Sequence, residues 1–266
     1  MKIAFWSPLH GTGTTACMMA IAAVLSGKMK KYCLLTQTHF ELNDLEEALI
    51  GRNIEQSGDD YIRDMGVDAL VRYFKAGILT EEMVCGCSTI IGDNLAFLPG
   101  SRQTVRENFE SRIFTGMFLK IIKASESFYD MVLVDVNSGY SPQSLEMIEN
   151  SDLVVVVLNQ GRRMTQRFLK CGFPVHDKER FYCFSRYCRE SRYSIHNLKK
   201  LNRSFYNGNM GAVPFEPAYL DAIDERRVVE YFRQMADSSN GRESYFYTEI
   251  ISCAEKIADL AERRDR

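Results

Sequence analysis

The chain has 266 residues, of which 45% are hydrophobic and 26% charged, and its formal net charge at pH 7 is −2. It is long and apolar enough to bury a full core, and we expect residues 1–266 to form one domain, as α/β chains of this length often do. The near-neutral charge and the lack of any apolar run near ~18 residues exclude attachment to nucleic acid or membrane by bulk charge alone and predict no stable membrane insertion.

Short apolar segments alternate with helical patterns, which predicts an α/β fold with a doubly wound, mostly parallel sheet flanked by helices. The predicted strands are Lys2–Trp6, Tyr32–Leu35, Leu95–Leu98, Met131–Val134, Leu153–Leu158, Arg180–Phe184 and Ala212–Phe215. The predicted helices are Thr14–Gly27, Asp44–Ile50, Asp68–Ala76, Arg112–Ser125, Pro142–Asn150, Ser194–Arg203 and Glu243–Arg264. The segments richest in Gly, Ser, Asn and charge are predicted surface loops, namely Gln56–Asp60 and Asp237–Glu243.

The segment between the first strand and the first helix is typical of a phosphate-binding loop. Such loops read Gly, four residues, Gly-Lys-Ser/Thr, and their backbone N–H groups bind phosphates at the N-terminus of the following helix. Two glycines and the last threonine fit this pattern, but Pro8 stands at the first glycine position and Thr14 at the lysine position. We expect the loop to contact phosphates without a fixed lysine charge, through His10, Gly11, Thr12, Gly13, Thr14 and Thr15.

The segment Gly11–Ala16 also matches Gly-x-Gly-x-x-Ala, a fingerprint of dinucleotide-binding folds. In those folds the first glycine follows the strand almost at once, whereas Ser7–His10 intervene here after Trp6. Those folds also place an acid at the end of the second strand, where this chain has the sequence Leu-Thr-Gln-Thr at 35–38. We therefore favour a phosphate loop over the dinucleotide motif and over a plain strand-to-helix turn.

Asp135 directly follows the predicted strand Met131–Val134. In phosphate-loop proteins an acid at this point holds Mg²⁺ through water, while the loop hydroxyl, here Thr15, ligates the metal directly. Gly139 follows at a position from which its N–H would reach a γ-phosphate. A helix cap or a turn is the alternative role for Asp135, and we expect the metal-side role for Asp135 and Thr15.

The order and spacing of several motifs resemble the ParA/MinD family, the deviant Walker-A phosphate-loop ATPases that position plasmids, division sites and pili. The resemblance covers most of the chain and is carried by Ile3–Thr15, Leu95–Gly100, Tyr129–Gly139, Ser151–Asp152, Val213–Glu216 and Asp221–Val228. It implies a P-loop NTPase fold, binding of ATP or ADP with Mg²⁺, a homodimer and a protein partner of a positioning system. It also implies that an adenine would lie near Pro214, Phe215 and Glu216. Thr14 is similar to the loop variant of the TadZ/CpaE pilus-localisation group.

The departures from the family pattern fall on its functional side chains. The family's signature lysine would fall at Leu9 and its ordinary loop lysine at Thr14. The switch acids would fall at Thr36 and Thr38, and the asparagine that reads adenine at Ser185. Since one well-placed cation is worth roughly 10³–10⁵-fold in phosphoryl transfer, we expect ATP hydrolysis to be weak or absent. Binding should suffer less, because the N–H cradle, the helix dipole and Mg²⁺ remain.

Three functions stay open from the sequence. The first is an ATP- and Mg²⁺-binding switch for positioning, partition or transfer of a DNA element or surface apparatus. The second is a nucleotide-free scaffold that keeps the fold as an interaction module. The third is a true ATPase whose cations are relocated to His10, Arg162 or Arg163.

Two further segments bear on partners and location. Between residues 177 and 203, eight lysines and arginines face three acids with tyrosines interleaved, so Lys178–Arg203 is a candidate for nonspecific DNA binding, with a solvated surface as the alternative. The polar face of Glu243–Arg264 is mixed in charge, which favours packing on the sheet over membrane binding. The eight scattered cysteines, including the close pair Cys85 and Cys87, are expected to be thiols of a cytoplasmic protein rather than metal or redox sites.

Overall fold

One eight-stranded sheet organises this computed structural model, which describes residues 1–40, 44–50, 65–175, 177–201 and 209–264. The strands are β1 (Lys2–Trp6), β2 (Cys33–Gln37), β3 (Thr89–Gly92), β4 (Leu95–Phe97), β5 (Met131–Asp135), β6 (Leu153–Asn159), β7 (Glu179–Tyr187) and β8 (Asn209–Pro214). Their spatial order is β3-β4-β2-β5-β1-β6-β7-β8. Neighbours pair in parallel except β3 with β4, which pair antiparallel. The predicted doubly wound, mostly parallel sheet is confirmed.

Helices follow or connect most of these strands. They are α1 (Thr14–Gly27), α2 (Asp44–Leu49), α3 (Gly66–Lys75), α4 (Glu81–Gly86), α5 (Arg106–Phe109), α6 (Arg112–Ser125), α7 (Pro142–Glu149), α8 (Arg162–Cys171), α9 (Ile195–Leu201), α10 (Pro217–Asp224), α11 (Val228–Asp237), α12 (Ser239–Glu243) and α13 (Tyr245–Arg264).

The helices cover both faces of the sheet, and successive strand residues alternate between the two cores. In β1, Ile3 and Phe5 pack with α1 and α13, while Ala4 and Trp6 pack with α6, α7 and α8. The valine run of β6 is fully buried on both faces, as expected for an inner parallel strand. This arrangement leaves the loops at the carboxyl ends of the strands as the place for a site.

Some sequence predictions differ from the structure, and others lie outside the residues that it describes. The strand β3 was not predicted, because it has only four residues and its pairing with β4 is interrupted by a register shift. The loop predicted at Asp237–Glu243 is wrong: α11 runs to Asp237, and Ser238 caps α12 by accepting a hydrogen bond from the N–H of Gly241 at 2.9 Å. The loop predicted at Gln56–Asp60 and the end of the helix predicted at Ser194–Arg203 lie outside the described residues.

The C-terminal helix α13 packs on the sheet, as its mixed polar face predicts. Its buried side chains belong to the same core as those of α1 and include Phe246, Ile250, Ala254 and Ile257. Among the described residues, no helix combines the length and the apolar character that crossing a bilayer requires.

Close packing of α13 against the edge strand β8 depends on Gly211. A Cβ atom at this position would overlap Sγ of Cys253 and lie 2.8 Å from Cζ of Phe181. We expect Gly211→Ala to destabilise the protein by about 1–3 kcal/mol, as overpacking does, and to lower the melting temperature by about 2–4 °C per kcal/mol. Because Cys253→Ala removes the overlapping sulfur, the double variant should recover part of this loss. Strictly additive losses in a double-mutant cycle would contradict the contact.

Candidate functional site

A cavity of about 530 Å³ opens at the carboxyl end of β1, next to the loop that leads into α1. Its lining comes from the loop, from α1 and α2, from the turn after β5, and from the ends of β7 and α10. The lining residues are His10, Gly11, Thr12, Gly13, Thr14, Thr15, Ala16, Met19, His39, Asp44, Glu47, Ala48, Ser138, Arg186, Ile223, Asp224 and Arg226. All six loop residues predicted to contact phosphate therefore share one cavity.

Two glycines shape the loop. Gly11 and Gly13 have φ values of +71° and +82°, a left-handed conformation that side chains other than glycine rarely adopt. Gly13 is also the N-cap of α1, and no side chain caps this helix. The first N–H groups of α1 therefore lack intrahelical acceptors and border the cavity. This geometry suits an anion.

A hydroxyl from β7 holds the middle of the loop. The buried Ser185 Oγ hydrogen bonds to the carbonyl oxygen of Thr12 and lies 2.8 Å from Oδ1 of Asn159. A Cβ atom on Gly13 would lie 3.6 Å from Cβ of Ser185. Ser185, predicted at an adenine-reading position, thus supports the loop rather than lining the cavity.

Asp135 lies directly behind the cavity, buried and absent from its lining, and contacts the lining residue Thr15. The metal-side role of the two residues stays a prediction. The Thr15 hydroxyl donates to Oδ2 of Asp135 at 2.5 Å, while Oδ1 is buried without a hydrogen-bond partner among the described residues. Nε2 of His39 lies 3.7 Å from Oδ1. Burial raises the pKa of the Asp135 carboxyl, and His39 and the Thr15 hydroxyl lower it in part. A buried carboxylate oxygen with no donor beside a threonine hydroxyl fits the hard oxygen ligands that Mg²⁺ prefers.

The two threonines at the predicted switch-acid positions occupy buried places beside Asp135. Thr38 Oγ1 accepts a hydrogen bond from the N–H of Asn137 at 3.0 Å, and the Thr38 N–H donates to the Asp135 carbonyl oxygen at 2.9 Å. These bonds tie the end of β2 to the turn after β5. The carboxylates that do line the cavity on this side, Asp44 and Glu47, come instead from α2.

Gly139 supports the loop and does not present its N–H to the cavity. That N–H donates to the Ser7 carbonyl oxygen at 2.9 Å, which differs from the predicted contact with a γ-phosphate. Its own carbonyl accepts from Nε1 of Trp6 at 2.7 Å. The Trp6 ring also meets Tyr140 and Phe173 edge-on, with ring centroids 5.4 and 5.9 Å apart. The residue of this turn that lines the cavity is Ser138.

The residues predicted near adenine are not brought to the cavity. Pro214, Phe215 and Glu216 are absent from its lining; Phe215 is 55% exposed, and Glu216 caps α10 by accepting from the N–H of Ala218 at 3.4 Å. Arg162 and Arg163, two candidate relocated cations, begin α8 and also lie outside the lining, whereas His10 belongs to it.

Sequence reasoning missed several of the lining residues. His39 follows the end of β2, Arg186 lies one residue before the end of β7, and Ile223 and Asp224 end α10. Position after a strand end was an available signal for His39. Nothing in the sequence indicated Arg186, because it enters the cavity through a break in strand pairing.

Several cations of the predicted DNA-binding segment are engaged within the chain. Nζ of Lys178 donates to the Ser151 carbonyl oxygen at 2.8 Å, and Arg180 lies over the ring of Phe173. Arg189 pairs with Glu190 at 2.9 Å. The DNA-binding role of Lys178–Arg203 stays a prediction.

Comparison with solved structures finds close matches in fold. A ParA family ATPase from Chlorobium tepidum TLS has a TM-score of 0.72 at 15% identity, covering 95% of this chain and 98% of that chain. The septum site-determining protein MinD from Pyrococcus horikoshii OT3, complexed with Mg-ADP, has 0.67 at 17%, with 98% and 96% covered. A protein assigned to plasmid partition in Borrelia burgdorferi B31, bound to AMPPNP, has 0.62 at 13%, with 99% and 98% covered.

The sequence itself matches no protein-family model, and comparison with curated proteins gives no match. The likeness to solved structures is therefore a likeness in architecture. The strand order, the loop between β1 and α1, and near-complete coverage of the chain agree with it. This chain has the fold of the MinD and ParA ATPases.

Proposed function

We propose that this protein is a nucleotide-dependent switch that binds ATP or ADP with Mg²⁺ and acts in positioning, partition or transfer of a DNA element or surface apparatus. One observation carries the proposal: a glycine-shaped loop and the uncapped start of α1 border one cavity, and Thr15 of its lining hydrogen bonds to the buried Asp135 behind it. The fold shared with the Mg-ADP complex of MinD and with the AMPPNP-bound partition protein supports the choice of ligand.

In this proposal different residues of the chain bind the phosphates and the metal. Backbone N–H groups of the loop bind phosphate oxygens, and Thr15 and Asp135 hold Mg²⁺. The metal, when bound, offsets the negative charge of the phosphates. A bound metal would also compensate the charge of Asp135. Burial disfavours the ionised carboxylate and raises its pKa.

Hydrolysis is weak or absent in the proposed switch. Leu9 and Thr14 stand where loop lysines would stabilise charge developing on the phosphates. Thr38 has no carboxylate to orient water, and its hydroxyl is already bonded to the N–H of Asn137. In the same proposal the protein is cytoplasmic and dimeric, works with a protein partner and resembles TadZ/CpaE proteins in its loop.

A second candidate function is a nucleotide-free scaffold. It is favoured by the position of Pro214–Glu216, which leaves the predicted adenine contacts outside the cavity lining. The hydrogen bonds that Thr12 makes within the loop also allow the loop to keep its shape without a ligand, since its hydroxyl lies 3.2 Å from that of Thr14 and 3.4 Å from the Leu9 carbonyl.

Titration calorimetry with ATP and ADP, each with and without Mg²⁺, distinguishes the two candidates. We expect dissociation constants in the micromolar range (roughly −8 kcal/mol) that weaken at least about tenfold when Mg²⁺ is removed. No heat of binding at millimolar nucleotide would contradict the switch and leave the scaffold, whose partner would then be sought by pull-down.

A further inference from the structure

An arginine that the loop pattern does not contain reaches the cavity beside the loop from a different part of the chain. Arg186, near the end of β7, lines the cavity together with the loop residues. Phosphate loops ordinarily carry a lysine that reaches the β- and γ-phosphates, and this loop has none. The folding of the chain thus brings the permanent positive charge of Arg186 to this cavity.

The backbone at Arg186 adopts a conformation that lowers the stability of the fold. Its φ is +48°, a left-handed conformation that disfavours side chains other than glycine. The pairing of β7 with β8 also shifts register between Phe184 and Tyr187, the two residues that enclose this position. Backbone strain and bulges of this kind recur where a side chain is redirected into a functional site.

The side chain of Arg186 is exposed and is not used to hold the fold. No hydrogen bond or ion pair joins it to another group in the part of the chain that the structure describes. Arg226, the other arginine of the cavity, does interact with a neighbour. His10 and His39 also line the cavity, but an imidazole is not a permanent cation as a guanidinium is.

The position of Arg186 is fixed relative to the loop. The preceding residue, Ser185, hydrogen bonds to the carbonyl oxygen of Thr12. A phosphate held by the N–H groups of the loop would therefore lie at a defined place relative to the backbone of Arg186, whose side chain lines the same cavity. Guanidinium groups bind phosphate oxygens through two parallel hydrogen bonds, which suits this role better than a point charge does.

We propose that Arg186 supplies the cation for the phosphate groups of the nucleotide, in place of the loop lysine. This inference rests on the proposed function and adds to it the source of charge compensation. A contact from Arg186 to phosphate can be told apart from a contact to the base. Its contribution to the binding affinity should increase with the number of phosphates in the ligand.

The test uses Arg186→Gly, with Lys30→Gly as the matched control. Lys30 is also an exposed cation with left-handed backbone, at φ +57°, but it lies beyond the far end of α1 and outside the cavity lining. Both substitutions remove one positive charge and one strained position, so both should raise the melting temperature. Only Arg186→Gly should weaken binding of ATP, by roughly 10- to 100-fold, the loss expected for one charge-assisted contact.

The ligand series ATP, ADP, AMP and adenosine, titrated with Mg²⁺, makes the assignment specific. The ratio of wild-type to Arg186→Gly affinity should fall along the series and approach one for adenosine, and Arg186→Lys should retain part of the ATP affinity. Equal ATP affinity in the wild type and Arg186→Gly would overturn the role of Arg186 and leave the nucleotide switch intact. An equal loss for adenosine would also overturn it, since the contact would then be to the nucleoside. A wild-type protein that binds no nucleotide would overturn both proposals.

Discussion

Replacing Gly13 with valine is expected to reduce ATP affinity by at least about 100-fold, or roughly 2.7 kcal/mol. Gly13 caps α1 at φ +82°, and a β-branched residue is a genuine outlier in this conformation. The loop must move to accommodate it, and the N–H groups that face the cavity then lose their common direction. Titration calorimetry with ATP and Mg²⁺ measures the effect.

Gly77→Val is the matched control for this experiment. Gly77 follows α3 with a φ of +73°, and a Cβ atom there would meet no atom within 4 Å. Both variants should lose about 1–2 kcal/mol of stability through backbone strain, but only Gly13→Val should lose binding. Unchanged ATP affinity in folded Gly13→Val would mean that no phosphate occupies the loop.

Asp135→Asn is expected to stabilise the free protein at pH 7 and to remove the Mg²⁺ dependence of nucleotide binding. The amide keeps an oxygen to accept from Thr15 and eliminates a fully buried charge. Since the carboxylate no longer faces the metal, ATP affinity with Mg²⁺ should fall at least about tenfold, to the value measured without it. We expect a rise in melting temperature of about 2–4 °C, which corresponds to about 1 kcal/mol for a chain of this size.

The pH dependence of this stabilisation follows from the pKa of Asp135. Burial raises that pKa above its ordinary value of 3.8, so the folded protein holds the proton more tightly than the unfolded chain does. The contribution of the carboxyl to stability is therefore full below about pH 3.8 and is lost as pH rises through the folded-state pKa. The difference in melting temperature between Asp135→Asn and the wild type should grow over the same range.

Asp130→Asn provides the control at the opposite end of β5. Asp130 is exposed and accepts a hydrogen bond from the N–H of Tyr32 at 2.8 Å, far from the loop. Its substitution should leave the Mg²⁺ dependence of binding unchanged. If Asp135→Asn instead destabilised the free protein at pH 7 and kept its Mg²⁺ dependence, the proposed metal-side role would be wrong.

The sheet was largely predictable because its inner strands carry their own signal. The strands β1, β5 and β6 are largely apolar segments that are buried on both faces. A short continuous apolar segment of this kind is typical of a buried parallel strand. The strand β3 has no comparable signal, since Ile90 at its centre is 79% exposed. At the segment 237–243, composition indicated a loop, but one serine hydroxyl at the N-cap was sufficient for a short helix.

The candidate site was predictable only where it is local in sequence. Gly11, Gly13 and Thr15 lie close together in the chain, and the hydrogen bond from Thr15 to Asp135 joins the start of α1 to the end of β5, both of which the sequence predicts. Arg186 depends on a register shift between β7 and β8, and Glu47 on the docking of α2. Such positions arise from tertiary packing, which leaves no periodicity in the sequence.

The hydrogen bond from Trp6 to Gly139 has a spectroscopic consequence. This chain has one tryptophan, and its buried indole bonds to the turn that follows β5 while contacting Tyr140 edge-on. All tryptophan fluorescence of this chain therefore comes from the contact between the end of β1 and that turn. A change in the conformation of the turn should alter the fluorescence of Trp6, and this can be measured without attaching a label to any cysteine.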